Sequence, residues 1–425
     1  MDLAGWLAYI ERQHPQTIAL GLDRVCAVRD RLAAPKPCPI FTVGGTNGKG
    51  STCAMLEATL RAGGYRVGCY TSPHLLRYNE RVRLDGREAD DAALAAAFAE
   101  VDAARDGTAL TYFEFGTLAA WLIFARADLD ALVLEIGLGG RLDAVNAFEP
   151  DCAVLTSVAL DHREYLGDTR AAIGWEKAHI FRPATPAVVG DPSPPQSVLD
   201  HARAIGAELL LIGRDFGCAA GPRQWRYFGP GGTRAGLAYP ALRGAAQLAN
   251  AACAIAALDS LRDRLPLGVQ ELRRGLATVE LPGRFQVLPG RPTLILDVAH
   301  NPAAAAVLAA ALGEMSGYRR SLAVFGMLRD KDIAGVCAAL GRRIDRWYAA
   351  TLDNPRGATA AEVAAAIERS GAGGEVGRFA SPRAALAAAQ EDAGEGDRIV
   401  AFGSFYTVAE VMAARAATPR SRNAG

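Results

Sequence analysis

The eight cysteines (Cys26, Cys38, Cys53, Cys69, Cys152, Cys218, Cys253 and Cys337) include no Cys-x-x-Cys pair. That scatter argues against a zinc or disulfide framework and reads as reduced core thiols. No apolar run reaches the roughly 18 residues of a membrane span. The start, Met1-Asp-Leu-Ala-Gly-Trp6, lacks the basic-then-apolar layout of a secretory leader. Net charge is missing too: 46 basic and 46 acidic residues cancel, so nothing favours nucleic acid or a membrane surface as partner. The basic tail, Arg415 to Arg422, is expected to fray in solvent. There is no Gly-x-Ser-x-Gly, no His-Glu-x-x-His, no kinase triplet and no Cys/His nucleophile pair. Internal repeats and heptads are absent. What remains is a cytoplasmic globular chain of 425 residues, half of them hydrophobic and 22% charged, long enough for two or three domains.

What is present is organised around Ile40-Phe-Thr-Val-Gly-Gly-Thr-Asn-Gly-Lys-Gly-Ser51. A β-branched run leads into glycines, an Asn, a Lys and a Ser, and a helical pattern follows at once. Strand, glycine turn and helix N-terminus together make an anion site, with N–H groups pointing inward and the helix dipole favouring negative charge. Lys49 would reach the outer phosphates. The strict pattern G-x-x-x-x-G-K-[ST] is not met: Val43 stands where the first glycine belongs, and Gly50 separates Lys49 from Ser51. A plain glycine turn with a solvated lysine is the bland alternative. The flanking strand and helix favour a shortened phosphate-binding loop.

Further along, Tyr65–Tyr70 alternates as a short strand and exits at Thr71-Ser-Pro-His74, which draws attention to Ser72 and His74. An Ala-rich amphipathic helix is expected over 89–106, then Thr111-Tyr-Phe-Glu-Phe-Gly116 before a helix at 117–127. That aromatic run is either core packing or a surface for stacking a flat ligand. Ala131–Ile136 reads as a buried parallel strand. A carboxylate at Glu135 is costly there unless compensated, and a nucleotide's Mg²⁺ is the natural compensator. Cys152–Ser157 is the next strand, and it leaves Asp161 and His162 at the same sheet edge. Glu176, Lys177 and His179 read as a solvated helix face. A small-sheet insertion is expected over 213–245, then an apolar helix from Gln247 carrying Asn250. After Leu281-Pro-Gly-Arg284 a second strand–helix alternation begins. The reading is α/β: a P-loop ATPase-type parallel-sheet domain over 1–283 and a smaller Rossmann-like domain over 284–425. Residues alone stop at an ATP-using enzyme, a ligase or a kinase, with a switch NTPase as a third class.

Gly45-Thr-Asn-Gly-Lys-Gly-Ser51, Ser72-Pro-His74, Leu134-Glu-Ile-Gly-Leu-Gly-Gly-Arg-Leu-Asp-Ala144, Leu160-Asp-His162, Glu176-Lys-Ala178, Leu281-Pro-Gly-Arg284, Asp297-Val-Ala-His-Asn-Pro302 and Gly403-Ser-Phe405 occur in a telling order. It resembles that of the folylpolyglutamate and dihydrofolate synthases of the Mur-ligase superfamily, over about residues 6 to 412. The resemblance implies a two-domain amide ligase that phosphorylates a substrate carboxylate with ATP and lets L-glutamate attack the acyl phosphate. It assigns ATP to Thr46, Asn47, Gly48, Lys49, Gly50, Ser51, Asn250, Arg284 and Asp297, clamped between the domains. Two Mg²⁺ ions fall to Ser72, Glu135, His162 and Lys177, the last as a carbamate, which overrides the solvated reading. A monovalent cation such as K⁺ is also allowed. Lys49, Lys177, His162 and, more weakly, His300 are the catalytic candidates. Ile18, Ala19, Leu20, Thr111, Tyr112, Phe113, Glu114, Leu142, Asp143 and Ala144 resemble the segments that hold dihydropteroate in bifunctional bacterial members, with Phe113 stacking on the pterin. Dihydropteroate, reduced folates and L-glutamate are thus the expected small-molecule partners of a cytoplasmic monomer. A polyglutamylase without the dihydropteroate activity is the alternative.

Overall fold

The computed structural model describes residues 1–417 apart from residues 17 and 245, so most of the basic tail lies outside the described residues. The chain divides into two compact units. The first takes Met1–Ala241 and Gln247–Glu280; the second takes the chain from Leu281 together with Leu242–Ala246.

The first unit is built on eight strands, β1 Ile40–Gly44, β2 Val67–Tyr70, β3 Val82–Leu84, β4 Arg87–Glu88, β5 Ala131–Glu135, β6 Cys152–Leu155, β7 Pro186–Val189 and β8 Glu208–Leu211, in the order β4-β3-β2-β5-β1-β6-β7-β8. The six from β2 to β8 are parallel, while β3 and β4 add an antiparallel edge. The parallel sheet was expected; its antiparallel edge was not read, because the short Val82–Glu88 hairpin, with Gly86 at φ +73°, carries no long apolar run to betray it. Strands β1, β5 and β6 are buried throughout, as central parallel strands with helices on both faces must be. Because β1 lies between β5 and β6, the loops leaving β1, β2, β5 and β6 open on one carboxyl-terminal edge, where α/β sheets gather ligands.

The helix expected over 117–127 runs instead from Tyr112 to Arg126. Thr111 caps it: its Oγ1 accepts from Glu114 N (3.2 Å) and Glu114 Oε2 accepts from Thr111 N (2.8 Å). This reciprocal box starts the helix five residues early. The expected insertion is an antiparallel sheet of β9 Gly217–Ala220, β10 Gln224–Gly229 and β11 Gly232–Ala238. Asp259 pins it, accepting from Tyr227 Oη (3.1 Å), Gly231 N (3.2 Å) and Arg234 Nη1 (2.8 Å).

The second unit holds β12 Gln286–Leu288, β13 Thr293–Leu296, β14 Ser321–Phe325, β15 Arg346–Ala350, β16 Glu375–Phe379 and β17 Arg398–Phe402, in the order β12-β13-β17-β14-β15-β16. All pairs are parallel except β12 with β13. The half-exposed edge strand β16 and the helix Pro382–Asp392 behind it went unread in the sequence. The loops after β13 and β17 carry Asp297–Asn301 and Gly403–Ser404.

Candidate active site

The loop after β1 meets the helix Lys49–Ala62 at Gly48, which has φ +91°. Gly45 has φ +140°, and a Cβ there would lie 2.0 Å from Thr156 Oγ1; a Cβ on Gly48 would lie 2.5 Å from Asn250 Oδ1. Residues after β6 lock the loop. Thr46 N donates to Ser157 O (2.8 Å), Asn47 N to Ser157 Oγ (3.0 Å), Thr156 Oγ1 to Asn47 O (2.7 Å) and Ala159 N to Thr46 Oγ1 (3.0 Å). Thr156 and Ser157 were missed in the sequence, although their place at a strand exit was a usable signal. Lys49 Nζ donates to Gly45 O at 3.1 Å, and Lys177 Nζ donates to the same oxygen at 3.1 Å. Gly45→Ala should therefore displace this loop. A thermal melt is expected to show a loss of about 2–4 kcal/mol, and an unshifted melt with normal nucleotide binding would contradict the packing described.

Glu135 ends β5 and is 4% exposed; its Oε2 accepts from Ser72 N at 3.0 Å. This brings together two of the four expected metal ligands. Lys177, on the helix Arg170–Ala178, is only 5% exposed, so the solvated reading of that helix face fails for it. Its neighbour Glu176 pairs with Arg141 at 2.9 Å. His162 takes φ +50° after β6, with its backbone N donating to Asp161 Oδ1 (2.9 Å) and Nε2 lying 4.0 Å from Asp161 Oδ2.

Among the described residues no group of three or more His, Cys, Asp or Glu side chains could hold a metal ion by itself. The expected set contains only two such residues, with a serine and a lysine beside them. It fits an ion that takes most of its ligands from phosphates and water, as Mg²⁺ does.

Three distant segments converge beside this edge. Gly21 N donates to Leu142 O (3.3 Å), which ties the Ile18–Leu20 segment to the loop after β5. Arg24 Nη2 donates to Ala19 O (2.7 Å) and to Glu114 Oε1 (2.9 Å), so Arg24 joins that segment to the start of the helix Tyr112–Arg126. Arg24 was also missed in the sequence. Glu114, expected to touch substrate, is 3% exposed with both oxygens engaged by Thr111 and Arg24. The Phe113 ring lies 6.0 Å from that of Tyr70 and covers Gly137, where a Cβ would be 2.6 Å from Phe113 Cζ. Ala144 is buried, while Tyr112 and Leu142 are half-buried.

Asp143 accepts from Leu138 N (2.8 Å) and Val145 N (3.0 Å). Burial nevertheless pushes its carboxyl up to about 7, against the opposing pull of those N–H groups and Lys49. The folded state then binds a proton that the unfolded chain has already lost. Stability should fall as pH rises from about 4 to about 7. In Asp143→Asn the part of that slope due to this group, a few kcal/mol at most, should vanish from urea melts taken across the range. An unchanged slope would refute it.

In the second unit Asp297 accepts from Phe285 N and Ala299 N, both at 2.8 Å, and burial raises its carboxyl above the usual range. The Arg284 guanidinium lies 5.0 Å from the Phe405 ring centre. The His300 ring lies 6.3 Å from the same ring, with Nδ1 2.9 Å from Val298 O. Arg284 and His300, both distant in sequence from Phe405, thus meet around its ring.

Residues 43–194 match the model of the Mur ligase middle domain, and residues 283–405 that of the Mur ligase glutamate ligase domain. The dihydrofolate synthase/folylpolyglutamate synthase of Escherichia coli (strain K12) is 47% identical over 411 residues, covering 96% of this chain and 94% of the relative. The chain belongs to this family. E. coli FolC in complex with DHPP and ADP superposes with TM-score 0.93 at 46% identity, over 98% of each chain. A bifunctional folylpolyglutamate synthase/dihydrofolate synthase with Mn, AMPPNP and L-glutamate bound gives TM-score 0.90 at 46% identity, again over 98% of each chain. As a member of the family, the chain is an ATP-dependent ligase of Mur type, and its α/β fold is that of the Mur ligase middle and C-terminal domains. Among the described residues no helix is long and apolar enough to cross a membrane.

Proposed function

We propose that this ligase joins L-glutamate both to dihydropteroate, giving dihydrofolate, and to reduced folates, extending their glutamate tail. The observation that carries the reading is the convergence on one sheet edge of a locked phosphate loop, the Ser72–Glu135 pair and the pocket tied together by Arg24. A carboxylate is a poor electrophile. One of its oxygens attacks the γ-phosphorus of ATP, the bond to the β-bridging oxygen breaks, and ADP leaves an acyl phosphate. The glutamate amine then adds to the acyl carbon. Collapse of the tetrahedral intermediate expels phosphate, and the amine loses its proton.

The chain's own residues position and neutralise. Loop N–H groups from Gly48 to Ser51, with Asn250 and Lys49, hold the phosphates, Thr46 and Asn47 shape the loop, and the resemblance assigns Arg284 and Asp297 to the nucleotide as well. Phe113, with Leu142, Asp143, Ala144 and residues 18–20, holds the flat ring system. Ser72 and Glu135 would hold one divalent ion, and His162, Glu135 and carbamylated Lys177 a second. Such ions, when bound, offset the crowded charge of phosphates and carboxylate. His300 lies on a loop of the second unit suited to glutamate. The reading takes the chain as a cytoplasmic monomer, and its balanced charge, 46 basic against 46 acidic residues, favours neither nucleic acid nor a membrane surface as partner.

The test is phosphate release with ATP, Mg²⁺ and L-glutamate, with dihydropteroate and tetrahydrofolate in separate tubes. Turnover of both is expected. Turnover of tetrahydrofolate alone would leave a folylpolyglutamate synthase, and silence with both would overturn the folate reading.

A further inference from the structure

The segment after the Ser72–His74 loop carries three arginines whose surroundings differ sharply. Arg77 lies beside Glu88 (3.7 Å) and Asp91 (3.3 Å), and Arg83 makes a close pair with Glu57 (2.8 Å). Arg81, between them in sequence, has no carboxylate partner among the described residues. Its neighbour Glu80 does not serve it, because the Glu80 oxygens accept from Leu75 N, Leu76 N and Arg77 N, each at 2.7 Å. The Arg81 side chain is nonetheless held in place. Its Nε donates to His74 Nδ1 at 2.9 Å. Its guanidinium carbon sits 5.3 Å from the Tyr78 ring centre and 5.4 Å from the Tyr112 ring centre, contacts that fix a guanidinium by cation–π attraction. The group is half-buried. Tyr112 precedes Phe113, while His74 is two residues from Ser72. An oriented cation therefore lies against Tyr112 and His74, and no described residue accepts from its terminal nitrogens.

We propose that Arg81 binds the carboxylate of the substrate's existing glutamyl group that is not activated, and so serves reduced folates and not dihydropteroate. A guanidinium recognises a carboxylate through paired, charge-assisted hydrogen bonds. Such a clamp suits a carboxylate that survives the reaction better than the one attacking ATP, whose oxygen must stay nucleophilic. Dihydropteroate has a single carboxylate, and that one is consumed. A reduced folate ends in a glutamyl group with two, so one remains for Arg81.

This inference rests on the folate-ligase reading, and the experiment separates the two. Initial rates are measured for wild type, Arg81→Gln and Arg81→Lys with tetrahydrofolate, with its 4-aminobutyrate analogue, which keeps one side-chain carboxylate, and with dihydropteroate. Arg81→Gln is expected to raise KM for tetrahydrofolate about ten- to a hundredfold, with Arg81→Lys in between. KM for dihydropteroate and for the analogue should stay within about twofold of wild type. Equal losses on all three substrates would mean that Arg81 only supports the loop, and an unchanged KM for tetrahydrofolate would mean that it binds nothing; either overturns the inference. A wild type that turns over none of the three would instead overturn the folate reading.

Discussion

Glu135→Ala should lower the ligation rate by about three orders of magnitude or more while the fold survives. Nothing in strand geometry calls for a carboxylate at this position. The preceding strand residues are apolar and buried, and Glu135 sits at 4% exposure, accepting from the Ser72 backbone N–H. An ionised carboxylate buried so deeply is expensive unless cations compensate it. Removing it also lifts the cost of burying that charge, so the fold should survive although the Ser72 N–H loses its acceptor. In the reaction the cost is large. The phosphates and the attacking carboxylate are anions forced together, and the charge that brings their counterions is gone. Phosphate release and a thermal melt, each with and without Mg²⁺, check this together. The wild-type melt should rise with Mg²⁺ and nucleotide, whereas the variant's should not. Wild-type turnover in the variant would end the assignment of Glu135 to metal.

Legibility in the sequence followed the physics of each element. Central strands read correctly because burial on both faces demands continuous apolar runs, as in Ala131–Glu135 and Cys152–Leu155. The glycine turn between β1 and the helix at Lys49 read correctly because its positive φ values require glycine at Gly45 and Gly48. The start of the helix at Tyr112 was misplaced, since a capping box looks like any polar–aromatic turn until the reciprocal bonds are seen. Edge features such as β3, β4 and β16 were missed because half-exposed strands need no strong pattern. The partners that organise the site were hidden for another reason. Arg24 acts across 90 residues on Glu114, and Thr156 across 109 on Asn47, separations that no local spacing encodes. Lys177 was the sharpest case. Helical spacing alone put it on a solvated face, and only the resemblance, then the fold, moved it inside.

That lysine carries the second large effect. Lys177 Nζ and Lys49 Nζ share the Gly45 carbonyl oxygen, each at 3.1 Å. Two ammonium groups so placed are no more than about 6 Å apart, and at an effective dielectric of about 20 their repulsion is roughly 2–3 kcal/mol. Carbamylation of Lys177 by carbon dioxide converts its cation to an anion and turns that repulsion into attraction toward Lys49 and any divalent ion nearby. Lys177→Arg, which keeps the charge but cannot form the carbamate, is therefore expected to lose about 10²- to 10³-fold in turnover. Lys177→Ala should lose as much, because it too cannot form the carbamate. Bicarbonate supplies the test that a merely structural lysine would not pass. Enzyme equilibrated without carbon dioxide should have reduced turnover that bicarbonate restores, and ¹³C-labelled bicarbonate should give a carbamate resonance in wild type that both variants lack. Full activity in Lys177→Arg, or no bicarbonate dependence with no labelled carbamate, would leave Lys177 a cation and end its proposed role at a second metal.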